Sequence, residues 1–255
     1  MIVGIAGANG RMGGALIEAA QASGHSIMAH ARNLDTLAQY DETIRCTNSV
    51  EKLVQESDVV IDFTRPELTI QLAPLCAAHH TPLISGTTGL DESQAQILTD
   101  AGSNIAVVWA PNMSIGVNLL MGLVKQAAAK LDESYDIEIV EMHHRHKVDS
   151  PSGTALGLGH AAAEGRQIEL SKHAVLSREG DMGERKRGSI GFATMRGGSV
   201  IGDHTVVFAG DHDRIELTHK SQDRSIYAQG AIKAAEWAKS QPNGFYSMVD
   251  VLDLR

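Results

Sequence analysis

Residues 143–147 read His-His-Arg-His-Lys, five basic or titratable side chains in succession, in a chain whose 22 Lys and Arg face 31 Asp and Glu for a formal charge of −9. The run leads directly into Val148-Asp149-Ser150-Pro151-Ser152-Gly153-Thr154-Ala155, a polar turn before a small-residue helical pattern. These residue types in this order describe an anion site. Arg and Lys carry fixed charge, His titrates near neutral pH, and Ser152, Gly153 and Thr154 offer hydroxyls and backbone N–H groups at a helix start. If the run is extended, His143, Arg145 and Lys147 share one face and His144 and His146 the other. One ligand meets both faces only where the strand twists or ends, and Pro151 with its polar turn supplies such an ending. Three other uses compete. A metal site on His143 and His146 lacks an HExxH, a CxxC or a nearby carboxylate set, so no metal is expected. A nucleic-acid patch lacks interleaved aromatics and sits in an acidic chain. A solvated strand edge is the plainest alternative; a site for a small anion is the reading adopted.

A second constellation lies at the start of the chain. Gly7-Ala8-Asn9-Gly10-Arg11-Met12-Gly13 follows the strand-like Ile2–Ala6 and opens a helical pattern, the context a dinucleotide fingerprint requires. Glycine permits the tight turn, and the N–H groups of the helix start then face a pyrophosphate. The spacing is GxxGxxG, with Asn9 where the second Gly usually stands, and Asn tolerates left-handed backbone angles. Some 20 residues on, an acid would hold the ribose hydroxyls of NAD and an Arg the 2′-phosphate of NADP. Here the chain reads Met28-Ala29-His30-Ala31-Arg32-Asn33. Arg32, with His30 or Asn33 beside it, points to NADPH as the favoured cofactor and NADH as the alternative; an ordinary solvated charge is the other reading of Arg32. Ser85-Gly86-Thr87-Thr88-Gly89 and Ala110-Pro111-Asn112-Met113-Ser114 also end predicted strands and suit a nicotinamide ring and its ribose; plain strand-to-helix turns are the other reading.

Both constellations must be positioned by regular elements. In the first half, short apolar runs (Ile2–Ala6, Ile27–Ala31, Val59–Phe63, Pro82–Ser85, Ile105–Ala110) alternate with helical patterns at Gly13–Ala22, Glu67–Ala78 and Asp91–Ala101. This predicts a doubly wound parallel sheet of Rossmann type. After Pro111 a helix is expected over Val117–Leu131 and a strand over Ile137–Met142. Beyond them Ser189–Met195, Thr205–Phe208 and Arg214–Thr218 are separated by Gly197-Gly198 and Gly210-Asp211, which are expected to punctuate hairpins. The fold class is thus α/β, with a second α+β domain holding a mixed or antiparallel sheet. The expected boundaries are 1–114 with 224–255 for the dinucleotide domain, to which the helix Ile226–Lys239 would return, and 115–223 for the second. Ser171–Arg187 lacks a period and reads as a mobile surface loop, with a lid as the alternative.

Composition narrows the classes. Hydrophobic residues at 43% and charged residues at 21% belong to a folded globular chain. The acidic total argues against nucleic acid and anionic membrane as partners. Only Cys46 and Cys76 are present, which suits a reducing compartment rather than a disulfide framework. The N-terminus reads as a strand rather than a signal peptide, and the apolar runs fall short of the roughly 18 residues of a membrane span, so a cytoplasmic location is expected.

Over Glu141–Ala155 the chain resembles the dihydrodipicolinate reductase signature E-x-H-H-x-x-K-x-D-x-P-S-G-T-A. Asp62-Phe63-Thr64-Arg65-Pro66, Gly86-Thr87-Thr88-Gly89, Ser177-Arg178-Glu179-Gly180, Gly191-Phe192-Ala193 and Glu216-Leu217-Thr218-His219-Lys220 are similar to further motifs of that family. The resemblance implies an NAD(P)H-dependent oxidoreductase of lysine and diaminopimelate biosynthesis. Its reaction would be reduction of 4-hydroxy-tetrahydrodipicolinate, a small cyclic dicarboxylate, with loss of water, in a homotetramer. It further implies His143 and Lys147 as catalytic acid/base residues and His144, Ser152, Gly153 and Thr154 as substrate contacts. Gly7, Ala8, Asn9, Gly10, Arg11 and Met12 would hold cofactor phosphates, with Gly86, Thr87, Thr88 and Ala110, Pro111, Asn112 and Met113 beside the nicotinamide. Ala31 stands where related enzymes often carry the ribose-binding acid. Another Rossmann dehydrogenase of amino-acid metabolism and an NADPH-binding sensor without turnover are the competing classes; the basic run argues against the first, and the pair His143 and Lys147 against the second.

Overall fold

A computed structural model describes residues 1–40 and 43–254; Asp41, Glu42 and Arg255, which the expected domain ranges include, lie outside the described residues. The chain divides into two compact units, Met1–Ile115 with Ser225–Asp253, and Gly116–Arg224 with Leu254.

The first unit is built on a seven-stranded sheet. Its elements in chain order are β1 (Ile2–Ala6), α1 (Arg11–Ala22), β2 (Ser26–His30), β3 (Arg45–Thr47), α2 (Val50–Gln55), β4 (Val59–Asp62), α3 (Pro66–Ala78), β5 (Leu83–Ser85), α4 (Glu92–Ala101) and β6 (Ala106–Trp109). After the second unit the chain adds α8 (Ser225–Ala238), β12 (Gly244–Tyr246) and α9 (Met248–Val251). The strand order is β12-β6-β5-β4-β1-β2-β3 with every pair parallel, a Rossmann-type arrangement. Period-two alternation sends Val3, Ile5, Ile61 and Val108 into one core with α1 and α8. It sends Val60, Leu83 and Val107 into the other, with Leu53 of α2, Leu72 of α3 and Leu98 of α4. Both faces are covered, which is why the strands read as apolar runs rather than as alternating ones.

The second unit holds α5 (Ile115–Lys130), β7 (Asp136–His143), α6 (Gly153–Gly165), α7 (Leu170–His173), β8 (Ala174–Val175), β9 (Ile190–Arg196), β10 (Gly202–Ala209) and β11 (Arg214–Ser221). Its mixed sheet runs β11-β10-β7-β9-β8. Ile137, Ile139, Phe192, Val206 and Phe208 pack from one face of the sheet against Leu120 and Val124 of α5 and Leu158 of α6. Gly210-Asp211 closes the antiparallel β10–β11 hairpin. Gly197-Gly198 does not close one: β7 lies between β9 and β10, parallel to the first and antiparallel to the second. The glycine pair is instead tied to the end of β7, the Gly197 amide donating to the His143 carbonyl at 2.9 Å and the Arg145 amide to the Gly198 carbonyl at 3.3 Å. The segment expected as a loop from Ser171 begins in α7 and β8. Its remainder is fastened to β7 by Arg178 and Arg185, which donate to Glu138 at 2.7–2.9 Å, while Arg185 also reaches Asp136 at 2.6 Å.

Candidate active site

In the first unit the strand order reverses between β1 and β4, the place where open α/β sheets receive ligands at their strand ends. Gly7 leaves β1 with φ +67, a conformation strained for any side chain, and the Ala8 amide donates to the His30 carbonyl at 2.8 Å. Gly10 caps α1 with no side-chain hydrogen bond, and no acidic residue lies in the first turn. Ala8 is buried, Asn9 and Arg11 are exposed, and Met12 is half-buried against the core. An uncapped twelve-residue helix leaves its first amides without side-chain acceptors, so these residues fit the pyrophosphate of a dinucleotide. Arg32 is exposed just beyond β2. His30 is buried, and burial lowers its pKa, while the Asn33 side chain accepts from the Asp35 amide at 3.0 Å as the cap of a short 3-10 turn. Arg32 is therefore the cation at this strand end. At the ends of β5 and β6, Thr87, Ala110 and Met113 are buried, Gly86 and Asn112 half-buried, and Thr88 and Pro111 exposed.

In the second unit β7 ends at His143, so the basic run is not one extended strand. Residues 145–147 turn, closed by the Lys147 amide donating to the His144 carbonyl at 3.1 Å. Period two brings Glu141 and His143 to the buried face of β7. The His143 Nδ1 lies 2.6 Å from Glu141 Oε2. Arg196, across from His143 on β9, donates to both Glu141 oxygens at 2.8 and 2.9 Å, and the Ser152 amide donates to Glu141 at 3.0 Å. Burial alone would raise the Glu141 pKa, but these hydrogen bonds hold it below the usual carboxylate range. With an ionised acceptor at Nδ1, His143 carries its proton there and keeps Nε2 as a lone pair when neutral. Burial lowers the His143 pKa, against the opposing pull of Glu141, so the neutral form prevails near pH 7.

Lys147 donates to both oxygens of Asp149 at 2.7 and 2.8 Å, which leaves one of its three donors for another acceptor. Ser152 caps α6: its hydroxyl accepts from the Ala155 amide at 3.1 Å and lies 3.1 Å from His204 Nε2. Gly153 is exposed and Thr154 half-buried at the helix start, and His144 is half-buried with its ring tilted over His146. His204 packs edge-on to His143 with centroids 5.0 Å apart.

The comparisons with known proteins agree along the whole chain. Residues 1–113 match the family model described as dihydrodipicolinate reductase, N-terminus, and residues 116–252 its C-terminus. The chain belongs to the dihydrodipicolinate reductase family. It is 48% identical to the 4-hydroxy-tetrahydrodipicolinate reductase of Rhodopseudomonas palustris strain BisB18, over 98% of this chain and 96% of that one. It is 46% identical to the enzyme of that name from Thiobacillus denitrificans, over 99% and 98%. The dipicolinate-bound dihydrodipicolinate reductase from Paenisporosarcina sp. TG-14 shares the fold, with a TM-score of 0.81 at 22% identity and 98% coverage of each chain. Membership in this family makes the chain an NAD(P)H-dependent oxidoreductase. Among the described residues no helix is long and apolar enough to cross a membrane, and no group of three or more His, Cys, Asp and Glu is placed to hold a metal.

In the sequence His143, His144, Lys147, Ser152, Gly153 and Thr154 stand out, and in the structure they lie between the end of β7 and the start of α6, at one end of the second sheet. Local sequence pattern assigns no role to Glu141, Arg196, Asp149 or His204. Glu141 was within reach, because a carboxylate two residues before a histidine shares its face on a strand. Arg196 arrives only through the β7–β9 register. His204 alternates in phase with Val206 and Phe208, and that phase marks it as inward-facing.

His204 also makes a stability prediction. Burial, reinforced by the charge of His143, lowers its pKa from 6.5 to about 4. The unfolded chain therefore takes up this proton first as pH falls. The contribution is fully present above about pH 6.5 and is lost on descent to about pH 4, by roughly 3 kcal/mol at most. Urea midpoints should fall between about pH 7 and about pH 4.5 more steeply in wild type than in His204→Gln; equal slopes would remove His204 as the source.

Proposed function

We propose that this chain reduces 4-hydroxy-tetrahydrodipicolinate to tetrahydrodipicolinate with NAD(P)H and loss of water, with the cofactor on the first unit and the substrate on the second. The observation that carries the division of labour is the buried Glu141–His143 pair beside Lys147 and the start of α6. The bound cofactor supplies hydride. The net change adds one hydride and one proton and releases one water, so the site must both take and give protons. His143, neutral near pH 7, takes a ring C–H proton at Nε2 while Lys147 protonates the departing hydroxyl, which leaves as water; once the ring has gained hydride, the proton held by His143 returns to it, and Lys147 regains its own from solvent. The substrate carboxylates find His144, the Gly153 N–H and the Thr154 hydroxyl, while Ser152 holds that turn in place. Gly7, Asn9, Gly10, Arg11 and Met12 serve the cofactor phosphates, and the turns at Gly86–Thr88 and Ala110–Met113 serve the nicotinamide end.

NADPH is the favoured cofactor in this reading, supported by the exposed Arg32 following Ala31 where an acid would select NAD. Arg32→Ala should raise the NADPH KM by about tenfold and leave that for NADH nearly unchanged, the loss of one charge-assisted contact; equal preference in both proteins would refute it. The decisive assay follows NADPH absorbance with substrate made in situ from pyruvate and aspartate semialdehyde by the preceding synthase. Rapid oxidation that requires the synthase is expected. Cofactor binding with no oxidation would favour the sensor reading.

The self-association that a homotetramer needs is supported by the second sheet. The helices cover the face bearing Ile137 and Phe208, while the opposite face presents half-buried Val140, Met142 and Val207 beside exposed Ala193 and Met195, an apolar surface suited to another copy. A monomer in sedimentation would overturn this. Both cysteines are free thiols, in keeping with a cytoplasmic location.

A further inference from the structure

One buried carboxylate has no part in the chemistry above. Asp62 ends β4 with no exposed surface. Its Oδ1 accepts from the Thr64 amide at 3.0 Å and the Thr64 hydroxyl at 2.5 Å. Its Oδ2 accepts from the hydroxyls of Thr69 at 2.5 Å, Thr87 at 3.1 Å and Ser85 at 3.3 Å. The donors are knotted to one another as well: the Thr64 amide reaches the Thr87 hydroxyl at 3.1 Å, and the Thr87 amide reaches the Ser85 hydroxyl at 3.3 Å. The indole of Trp109 fastens the same turn from β6, donating to the Thr87 carbonyl at 3.0 Å.

All of the carboxylate's hydrogen-bond partners are neutral hydroxyls and one amide. A carboxylate taken out of water costs several kcal/mol, and its hydrogen bonds must offset that. A fully satisfied polar network of this kind fixes one arrangement of the chain around it. Here the arrangement concerns the turns that end β4, β5 and β6, all at the edge of the sheet where a dinucleotide binds. The turn at Thr87 would otherwise be loose, since it ends in Gly89 at φ +82, and an unanchored turn loses entropy on meeting a ligand.

We propose that Asp62 is a positioning residue of the cofactor site, its carboxylate holding the Thr87 turn in the conformation that receives the nicotinamide end of the dinucleotide. This rests on the reading that the first unit binds NAD(P)H. The test is direct NADPH titration, by the fluorescence of the reduced cofactor, of wild type, Asp62→Asn, Thr69→Val and Thr69→Ser, with thermal unfolding recorded alongside. Asp62→Asn should raise the Kd by about tenfold, Thr69→Val, which removes a buried donor to Asp62 outside the binding turns, by a few-fold, and Thr69→Ser, which keeps the hydroxyl, should bind like wild type. A folded Asp62→Asn protein with lowered Tm and unchanged Kd overturns the proposal, because the network then only stabilises the fold. If Asp62→Asn does not fold, the Thr69 pair decides: a wild-type Kd in Thr69→Val overturns it. Wild-type protein that binds no NADPH would instead remove the reading on which the proposal rests.

Discussion

Lys147→Ala and His143→Ala are each expected to lower turnover by about 10² or more, with NADPH affinity close to wild type. The two losses have different physical origins. His143 is held neutral by burial and oriented through Nδ1 by Glu141, so its removal takes away an acceptor at Nε2. Lys147 has two donors on Asp149 and its side chain is only 19% exposed, so its removal takes away a shielded proton source and leaves the exposed Asp149 carboxylate to solvent. Lys147→Arg separates charge from proton transfer. The guanidinium keeps the cation but does not give up a proton near neutral pH, and turnover should stay as low as in Lys147→Ala. Cofactor affinity is expected to hold because both side chains belong to the second unit, whereas the uncapped start of α1 belongs to the first. Recovery of turnover in Lys147→Arg would mean that Lys147 acts by charge alone. Near-normal turnover in both alanine variants would remove the acid/base assignment.

The parts of this molecule legible in its sequence are those set by local pattern. β1 is read to the residue, because five apolar or small residues before a glycine-rich turn leave little choice. β3, α2 and β12 escape notice for a physical reason. β3 is three residues long and exposes Arg45 and Cys46, so its apolar signal is too brief for either period. β12 consists of Gly244–Tyr246, held in place by pairing to β6 rather than by its own pattern. The misassigned hairpin at Gly197-Gly198 has the same root: a glycine pair announces a change of direction but not which strand lies alongside. In the active site, His143 and Lys147 stand out because five basic residues in an acidic chain demand a reason. Ser152 is legible as polar, yet its place as the cap of α6 depends on Glu141 and His204 reaching it from two strands. Long-range register places such partners, and a single sequence carries almost no local trace of it.

Glu141 is where that register matters most for the chemistry, and Glu141→Gln is expected to lower turnover by about 10–10² while shifting its pH dependence. The substitution keeps shape and removes charge. One end of the new amide is a donor, which cannot serve both the Arg196 guanidinium and the His143 Nδ1–H that the two carboxylate oxygens now share. His143 then loses the acceptor that fixes its tautomer, and the proton can move to Nε2, where it blocks the lone pair. The charge effect has a definite sign. Glu141 raises the His143 pKa against the downward pull of burial, so its neutralisation lowers that pKa further. His143 works in its neutral form, and the limb of kcat/KM that fails on acidification should therefore move to lower pH in Glu141→Gln even as the plateau drops. Stability should fall too, since Arg196 and the Ser152 amide both lose a charged acceptor at a site only 1% exposed. A purely structural tie between β7, β9 and α6 would also lower Tm, but it would leave the acid limb where it is. The pH profile of the folded variant thus distinguishes a carboxylate that tunes His143 from one that only joins three elements, and an unmoved limb would assign Glu141 to the second role.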